Sequence, residues 1–281
     1  MPELPEVETI KNELSPWIVG QSFTDVSISD RRLVSEPTVE ELEHRLTGQI
    51  TTDLERRGKY LIFRLSGRQS LVMHLRMTGA LLLNPQNTVR YSRASFRLSN
   101  GVQLVFKDQR RFGLIWLVED AKSIVSKLGP EPLSNDFTPD VLGQMLARHH
   151  IPVKAMLLDQ HLIAGIGNMY ADEALFAARI HPQRRADSLS LIETRDLHHA
   201  IRRVLRSAIS SKGASVDTYV RPEGQLGTAQ FNFKVAHRNA QPCPDCGTLI
   251  QRTVVQNRGS YFCPRCQPAT PQTPASTHPH L

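Results

Sequence analysis

Long apolar runs are missing from this chain of 281 residues, and cysteine is confined to one short segment. No stretch approaches the ~20 apolar residues that a membrane-spanning helix needs, and the acidic opening residues resemble neither a signal peptide nor a transit peptide. All four cysteines lie between residues 243 and 266, which does not suit a disulfide framework spread through a secreted domain. We therefore expect a cytoplasmic protein without a membrane segment.

Lysine is also scarce, because only 8 of the 34 cationic side chains are lysine and the rest are arginine. Against 27 acids, these cations leave a formal net charge of +7. Guanidinium groups make forked, permanently charged contacts with phosphate, so this balance favours a polyanionic partner. Charge alone is equally compatible with solubility or with genomic base composition, so it decides nothing by itself.

The first 120 residues are predicted to form one short helix followed by a mostly antiparallel β-sandwich. The helix is predicted over residues 5–14, where Val7, Ile10 and Leu14 share a face before Pro16 and Gly20 interrupt the pattern. Segments with the length and composition of strands follow, and turn signals separate them. They are residues 22–29, 60–65, 71–75, 80–83, 95–98, 102–106 and 114–118.

After the Gly-Pro-Glu-Pro segment at 129–132 the pattern becomes helical, with helices predicted at 138–148, 152–160, 168–178 and 188–211. The fold class expected is therefore α+β. The predicted divisions are a β-sandwich domain at 1–130, a helical domain at 131–240, a cysteine-containing module at 241–267 and a disordered tail at 268–281.

The cysteines form two Cys-x-x-Cys pairs, Cys243 with Cys246 and Cys263 with Cys266, separated by sixteen residues. This spacing suits one tetrahedral zinc ion on a short hairpin, and four thiolates leave no open position for a substrate. The pattern therefore predicts one structural Zn²⁺. Cations outnumber acids in this part of the chain, so the module can lie on phosphates even with the thiolates counted.

Pro2 is a candidate nucleophile, because an initiator Met before a small residue is normally removed and would leave a free secondary amine. Such an amine attacking a sugar carbon gives a cationic iminium, which acidifies the neighbouring C–H for elimination. Glu3 and Glu6 lie beside it, where a carboxyl group could protonate the sugar ring oxygen. The ordinary alternative is a helix start, where Pro and Glu are both common.

The opening residues Met1 to Thr9, Met-Pro-Glu-Leu-Pro-Glu-Val-Glu-Thr, resemble the beginning of bacterial formamidopyrimidine-DNA glycosylases. The segment from Cys243 to Gln267 resembles the zinc finger of that family over its full length. Further motifs stand between them in the family's order. They are Arg57-Gly-Lys59-Tyr60, His74-Leu-Arg-Met77-Thr-Gly79, Asp108-Gln-Arg110-Arg111-Phe112-Gly113 and Gly165-Ile-Gly-Asn168-Met-Tyr170.

The resemblance implies a bifunctional glycosylase and lyase of base excision repair, which removes 8-oxoguanine and ring-opened purines and then cleaves the strand by β,δ-elimination. Its partner would be duplex DNA with oxidised bases or abasic sites, bound by a monomer at the nucleoid. By this resemblance Pro2 forms the Schiff base, Glu3 donates a proton in base excision, Lys59 is a general acid in β-elimination and Arg258 is the donor for δ-elimination.

The resemblance also implies that Met77, Arg110 and Phe112 fill the gap left by a base turned out of the duplex, and that Asn168 belongs to a helix-two-turn-helix element that follows the DNA backbone. Without the resemblance, Met77 and Phe112 would be interpreted as core side chains. The loop from 213 to 230 is expected to cover the extruded base.

Some positions depart from the family pattern. Tyr91-Ser92-Arg93-Ala94 stands where a histidine pair is usual, so a phosphate contact is assigned to Arg93. The segment 148–150, Arg-His-His, stands where lysines are common, and His149 is assigned to DNA binding. Before the zinc finger, residues 235–240 replace a more usual Tyr-Gly-Arg-x-Gly pattern.

Two alternative functions stay open at this point. The related endonuclease VIII type uses the same amine chemistry on oxidised pyrimidines, although Leu4 favours the purine enzyme because the sister group typically has Gly there. A zinc-ribbon DNA-binding protein without catalysis would also explain the charge and the cysteines. The set of Pro2, Glu3 and Lys59 distinguishes the catalytic interpretations from this last one.

Overall fold

The computed structural model describes residues 1–269, so all but the first two residues of the predicted disordered tail lie outside the described part of the chain. By packing, the described residues form two compact units. The first contains Met1–Ser134, Gln160–Gly167 and Leu205–Asn232, and the second contains the remaining segments. The fourfold division made from the sequence stays a prediction, because these units group segments by packing and not by chain order.

The first unit contains the N-terminal helix and two sheets. Its elements in chain order are α1 (Leu4–Ile18), β1 (Phe23–Ile28), β2 (Val34–Glu36), α2 (Val39–Leu46), β3 (Thr51–Arg57), β4 (Tyr60–Leu65), β5 (Ser70–His74), β6 (Gly79–Leu83), β7 (Ser92–Leu98), β8 (Gln103–Asp108), β9 (Leu114–Val118) and α3 (Lys122–Val125). One sheet has the order β1-β7-β8-β6 and the other β2-β9-β5-β4-β3, and only the β2–β9 pair is parallel. The predicted antiparallel sandwich with an N-terminal helix is confirmed.

The core of this unit lies between the sheets and α1. Val7, Ile10 and Leu14 of α1 are fully buried against ring side chains such as Phe63 and Phe96 from the two sheets. Burial of this kind contributes ~25 cal/mol per Å² of apolar surface, so the helix is held mainly by its apolar face. Because α1 is fixed in this way, the residues at its N-terminus have a defined position.

The prediction that Pro16 ends the first helix is wrong. Helix α1 continues through Pro16 to Ile18, which is fully buried one turn beyond Leu14. A proline inside a helix removes one backbone hydrogen bond, but the apolar face of α1 continues past it onto the core. Elements β2, α2, α3 and β3 were not predicted from the sequence. Strand β3 is a polar segment in which only Thr51 and Leu54 are buried.

The second unit is helical and ends in a hairpin. Its helices are α4 (Pro139–Ala147), α5 (Val153–Leu158), α6 (Asn168–Ala177) and α7 (Leu191–Ser210), whose last turns belong to the first unit, and its strands are β10 (Gln251–Val255) and β11 (Arg258–Phe262). The predicted α+β class, with a helical C-terminal region and a cysteine-bearing hairpin, is confirmed. Within residues 1–269, no helix combines the length and apolar character needed to cross a bilayer.

Candidate active site and zinc module

The N-terminal turn of the first unit is buried and tightly bonded. Glu3 is the N-cap of α1, and its backbone N–H donates to Glu6 Oε2 at 2.8 Å. The other oxygen of Glu6 accepts the backbone N–H of Ala214 at 2.8 Å. Glu6 therefore fixes Glu3 and also ties it to the loop that the sequence assigns to the extruded base. The structure includes Met1, so the nitrogen of the buried Pro2 is an amide in it.

Two glycines allow the 165–167 segment to lie directly against this turn. The backbone N–H of Leu4 donates to Gly165 O at 3.0 Å, and Gly165 has a positive φ of 89°. A Cβ on Gly165 would lie 2.7 Å from Leu4 Cδ1, and a Cβ on Gly167 would lie 2.3 Å from the carboxyl carbon of Glu3. Real Cβ atoms do not approach so closely, so both positions require glycine.

Lys59 lies in the turn between β3 and β4 and is buried. The preceding Gly58 has a φ of 57°, and a Cβ there would lie 3.6 Å from the backbone N of Gly165. Gly165 therefore lies beside both Leu4 and Gly58. The structure thus brings the predicted catalytic residues Pro2, Glu3 and Lys59 onto two turns that share one neighbouring segment.

His74, at the end of β5, is a neutral imidazole in this site. Burial, with the charges of Arg76 and Lys59, lowers the pKa of His74 to about 3. Its Nδ1 accepts the backbone N–H of Arg76 at 3.0 Å, and its ring meets Tyr60 edge-on at 4.5 Å. The neutral ring therefore carries its proton on Nε2. From the sequence, His74 was identified only as the first residue of a family motif.

The three predicted gap-filling side chains are exposed, and Arg110 contacts each of the other two. Arg110 Nη1 lies 3.1 Å from Met77 Sδ, and its guanidinium carbon lies 4.8 Å from the ring centre of Phe112. Met77 is 41% exposed and Phe112 is 47% exposed, which is unusual for such residues and rules out the core interpretation. The carboxylate of Asp108 holds this loop by accepting the backbone N–H groups of Arg110 at 3.2 Å and Gly113 at 2.7 Å.

Arg93 is less available than the sequence led us to expect. Its Nε donates to Asp108 O at 2.8 Å, and its side chain is only 12% exposed. The neighbouring Arg111 is far more exposed and pairs with Asp30 at 3.3 Å, the same carboxylate that lies 3.9 Å from Arg93. The phosphate contact assigned to Arg93 stays a prediction.

The loop from 213 to 230 is anchored to the first unit by residues that the sequence did not single out. Tyr219 is buried in the sandwich core, and Arg221 forms an ion pair with Glu13 of α1 at 2.6 Å. Neither contact has a local sequence signal. Tyr219 lies in a polar, Gly-containing loop, and Arg221 and Glu13 are 208 positions apart in the chain. The structure therefore shows that this loop is attached to the sandwich core and to α1.

In the second unit, the four cysteine Sγ atoms all lie within 4.8 Å of one another. The Cys243–Cys266 separation is 3.9 Å and the Cys246–Cys263 separation is 3.5 Å. A tetrahedral ion with Zn–S bonds of ~2.3 Å places its sulfurs about 3.8 Å apart. The donor set therefore fits one structural Zn²⁺ that would hold the β10–β11 hairpin at its base.

Arg258 begins β11, and a buried ion pair fixes the backbone beside it. Lys154 is fully buried, and its Nζ donates to Asp172 at 2.7 Å, to Gly259 O at 3.1 Å and to Ser260 Oγ at 2.7 Å. Burial raises the pKa of Asp172 to about 7, against the lowering effect of the Lys154 charge. All three ammonium hydrogens of Lys154 are therefore used, and two of them hold the residues next to Arg258.

The two other predicted DNA contacts of this unit have partners within it. Asn168, at the start of α6, donates its amide Nδ2 to Gly259 O at 2.9 Å. The Nδ1 atom of His149 lies 2.7 Å from Met145 O at the end of α4. Their assignment to DNA stays a prediction. In the segment that departs from the family pattern, His237 and Ala240 both have positive φ angles, of 60° and 59°.

Comparison with known proteins places this site in a family context. Residues 1–115 match the model of the formamidopyrimidine-DNA glycosylase N-terminal domain, residues 128–220 match its H2TH domain, and residues 240–269 match a zinc finger found in FPG and IleRS. With the sulfur geometry, the zinc-finger match confirms the predicted structural zinc.

Curated relatives agree over nearly the whole chain. The formamidopyrimidine-DNA glycosylase of Symbiobacterium thermophilum is 46% identical over 274 residues, covering 95% of this chain and 90% of the relative. The enzyme of Chloroflexus aurantiacus is 43% identical and covers 95% of this chain and 98% of the relative.

Solved structures agree as well. The MutM (Fpg) protein of Thermus thermophilus superposes with a TM-score of 0.87 at 40% identity, covering 96% of this chain and all of the other. Lactococcus lactis Fpg in complex with abasic-site DNA gives 0.88 at 34% identity, covering 95% of this chain and 99% of the other.

Proposed function

Because the chain belongs to the formamidopyrimidine-DNA glycosylase family, we propose that it excises oxidised purines from duplex DNA and then cleaves the strand at the abasic sugar. The relatives are named for the glycosylase activity, and Lactococcus lactis Fpg has been solved with abasic-site DNA and, as a variant, with Fapy-dG DNA. We extend this substrate class, including 8-oxoguanine, to the present chain. A monomer in the cytoplasm, acting at the nucleoid, is part of the proposal.

One observation carries the proposal: the Glu3 carboxyl group is buried at the start of α1, directly after Pro2, and closely packed against Gly167. A secondary amine and a carboxyl group on adjacent residues supply a nucleophile and a proton donor to one sugar. In a water-poor turn, this pair is pre-oriented by the backbone, which is worth far more than the same groups free in solution.

The proposed reaction begins when demethionylated Pro2 attacks C1′ of the damaged nucleotide, so that the N–C1′ bond forms and the bond to the base breaks. The base leaves with the electron pair of that bond and takes up a proton, while the Pro2 nitrogen loses its own proton and regains a lone pair. Glu3 donates a proton to the ring oxygen O4′, the ring opens and the Pro2 nitrogen becomes an iminium. The iminium acidifies C2′, and loss of that proton expels the 3′ phosphate. Lys59 is proposed as the general acid of this β-elimination.

Arg258 is proposed as the donor for the following δ-elimination, which expels the 5′ phosphate. A guanidinium remains protonated throughout and can bind a phosphate oxygen through two N–H groups. The contacts of Gly259 and Ser260 with buried Lys154 support a fixed backbone for Arg258 within its own unit. The zinc ion holds the hairpin and takes no part in bond making.

The substrate class is tested by measuring excision rates on duplexes that carry 8-oxoguanine, formamidopyrimidine or thymine glycol. We expect the two purine lesions to be removed with strand cleavage that leaves phosphate at both ends of a one-nucleotide gap. Faster removal of thymine glycol would assign the chain to the endonuclease VIII type of activity. Binding to all three duplexes without excision would leave only the non-catalytic zinc-ribbon interpretation.

A further inference from the structure

The turn that carries Lys59 is unusually well restrained for a surface connection. Arg57 and Tyr60 pair across β3 and β4, leaving Gly58 and Lys59 as the two turn residues. Gly58 has the left-handed φ that a two-residue hairpin requires, and a Cβ there would lie 3.3 Å from Leu128 Cδ1. A lysine in such a turn is ordinarily solvated, whereas Lys59 is buried.

A single carboxylate, that of Glu131, binds the three residues before Lys59. Its Oε1 accepts the backbone N–H of Gly58 at 2.5 Å and lies 3.0 Å from Arg57 Nη1. Its Oε2 lies 2.8 Å from Arg56 Nη2. Charge-assisted hydrogen bonds of this kind are about twice as strong as neutral ones, and their geometry is more narrowly defined.

The backbone carbonyl of Gly58 is bound as well, because Arg56 Nη1 donates to Gly58 O at 3.0 Å. Arg56 is held between two carboxylates, Glu131 and Glu8, with Nε only 2.6 Å from Glu8 Oε2. Glu131 therefore contacts the peptide directly and also through Arg56. Both the N–H and the C=O of the residue preceding Lys59 are fixed by side chains.

The contacts of this cluster argue against the obvious alternative, that the arginines bind DNA phosphate. Arg56 and Arg57 are bound by Glu8 and Glu131, and Lys11 also pairs with Glu8 at 2.8 Å, so three cations share two carboxylates. The second guanidinium nitrogen of Arg57 also donates to backbone carbonyls at 128 and 129. A phosphate would have to displace the carboxylate and carbonyl contacts that both guanidinium groups already make.

From this geometry we infer that Glu131 is a positioning residue for Lys59, which holds the Gly58 peptide so that the Lys59 ammonium is placed for β-elimination. The inference rests on the role of Lys59 in the proposed function. Glu131 would act only through the turn and would touch neither DNA nor the reacting sugar. From the sequence, the Gly-Pro-Glu-Pro segment that contains Glu131 was interpreted only as a domain boundary.

Glu8 provides a matched control within the same cluster. The side chains of Glu8 and Glu131 are each 19% exposed, and both bind Arg56. Only Glu131 contacts the turn that carries Lys59. Loss of either carboxylate removes one ion pair from Arg56, and Glu8→Ala also removes the ion pair of Glu8 with Lys11. An effect confined to Glu131 would therefore come from its contacts with Arg57 and Gly58 in the turn.

The experiment measures single-turnover cleavage of a duplex with a preformed abasic site, in parallel with borohydride trapping of the imine. We expect Glu131→Ala to slow β-elimination about tenfold or more while the imine forms at nearly the wild-type rate, because only Lys59 is misplaced. Glu131→Gln keeps an acceptor for the Gly58 N–H, so it should stay within about threefold of wild type. Glu8→Ala should also stay near wild type.

The same substitutions in a Lys59→Ala background separate positioning from general destabilisation. If Glu131 acts through Lys59, then Glu131→Ala causes no further loss of β-elimination in that background. Equal losses with and without Lys59, or equal losses for Glu8→Ala and Glu131→Ala, would overturn the inference. A wild-type protein that forms no imine at all would instead refute the proposed function itself.

A second variant covers the case in which Glu131→Ala does not fold. Gly58→Ala leaves Glu131 intact but strains the same peptide, because a side chain is disfavoured at this φ and meets Leu128. It should slow β-elimination when Lys59 is present and have no effect in the Lys59→Ala background. Wild-type β-elimination by a folded Gly58→Ala protein would contradict the claim that this peptide positions Lys59.

Discussion

The carboxyl group of Glu3 occupies space that only a glycine at position 167 leaves open, since a Cβ there would lie 2.3 Å from the Glu3 carboxyl carbon. Gly167→Ala should therefore displace Glu3 without altering Pro2 or Lys59. If Glu3 protonates the sugar during base excision, the variant should lose about a hundredfold in 8-oxoguanine excision. Cleavage of a preformed abasic site should be much less affected.

Single-turnover rates on the two duplexes measure this difference. Gly143→Ala is the matched control, because a Cβ on Gly143 in α4 would make only an ordinary contact of 3.6 Å with Thr194. Equal losses on both duplexes for Gly167→Ala would contradict a role of Glu3 that is specific to base excision.

Phe112 should contribute to binding of a duplex whose base has been turned out, because its exposed ring is held against Arg110 beside Met77. Stacking of an aromatic side chain on a base is worth ~1–3 kcal/mol. Phe112→Ala should thus weaken affinity for a duplex with an abasic analogue by about tenfold. Trp17→Ala, which removes another apolar side chain 43% exposed in the same unit, should change this affinity little.

His74 makes the stability of the protein depend on pH. Its pKa is about 3 in the folded state and about 6.5 in an unfolded chain, so between these values only the unfolded state binds the proton. Stability should therefore fall as the pH drops, by about 2 kcal/mol between pH 7 and pH 5. Urea unfolding of wild type and His74→Gln at both pH values tests this contribution, which the variant should lack. An unchanged pH difference in His74→Gln would contradict it.

Removal of zinc should release the hairpin and leave the sandwich folded. Structural zinc in small modules contributes on the order of 10 kcal/mol, whereas the core of the first unit contains no cysteine. In chelated protein, amide hydrogen exchange should accelerate in β10 and β11 and remain slow in β4 and β5. DNA affinity should fall in parallel. Slow exchange in the hairpin of zinc-free protein would show that the hairpin does not depend on the metal.

The fold was predictable where one face of an element is apolar. The α1 pattern of Val7, Ile10 and Leu14 and the apolar strands β4, β5 and β9 were identified, because burial on the core imposes a period that sequence displays. Strand β3 was missed because Asp53 and the residues after Leu54 bond to neighbours through charged side chains. Its position comes from pairing with β4, which no local pattern encodes.

The functional residues also differ in how far they could be predicted from the sequence. The zinc ligands are set by spacing, so Cys243 and Cys263 needed no structure to be recognised. The position of Pro2 after Met1 made it a candidate nucleophile, but only the family resemblance favoured that role over an ordinary helix start. Lys59 was identified only through the resemblance, since a lysine in a turn is ordinary. Glu131 was missed altogether, because its contact with Gly58 joins residues 73 positions apart.

The proposed mechanism depends on Pro2, which, freed of Met1, forms a covalent imine with the sugar of a damaged nucleotide. The most direct measurement is borohydride reduction of demethionylated protein on an 8-oxoguanine duplex, followed by peptide mapping of the adduct. We expect a stable protein–DNA adduct attached through the nitrogen of Pro2, and none for protein that retains Met1, whose Pro2 nitrogen is an amide. Absence of an adduct from the demethionylated protein, or attachment through a lysine such as Lys59, would contradict it.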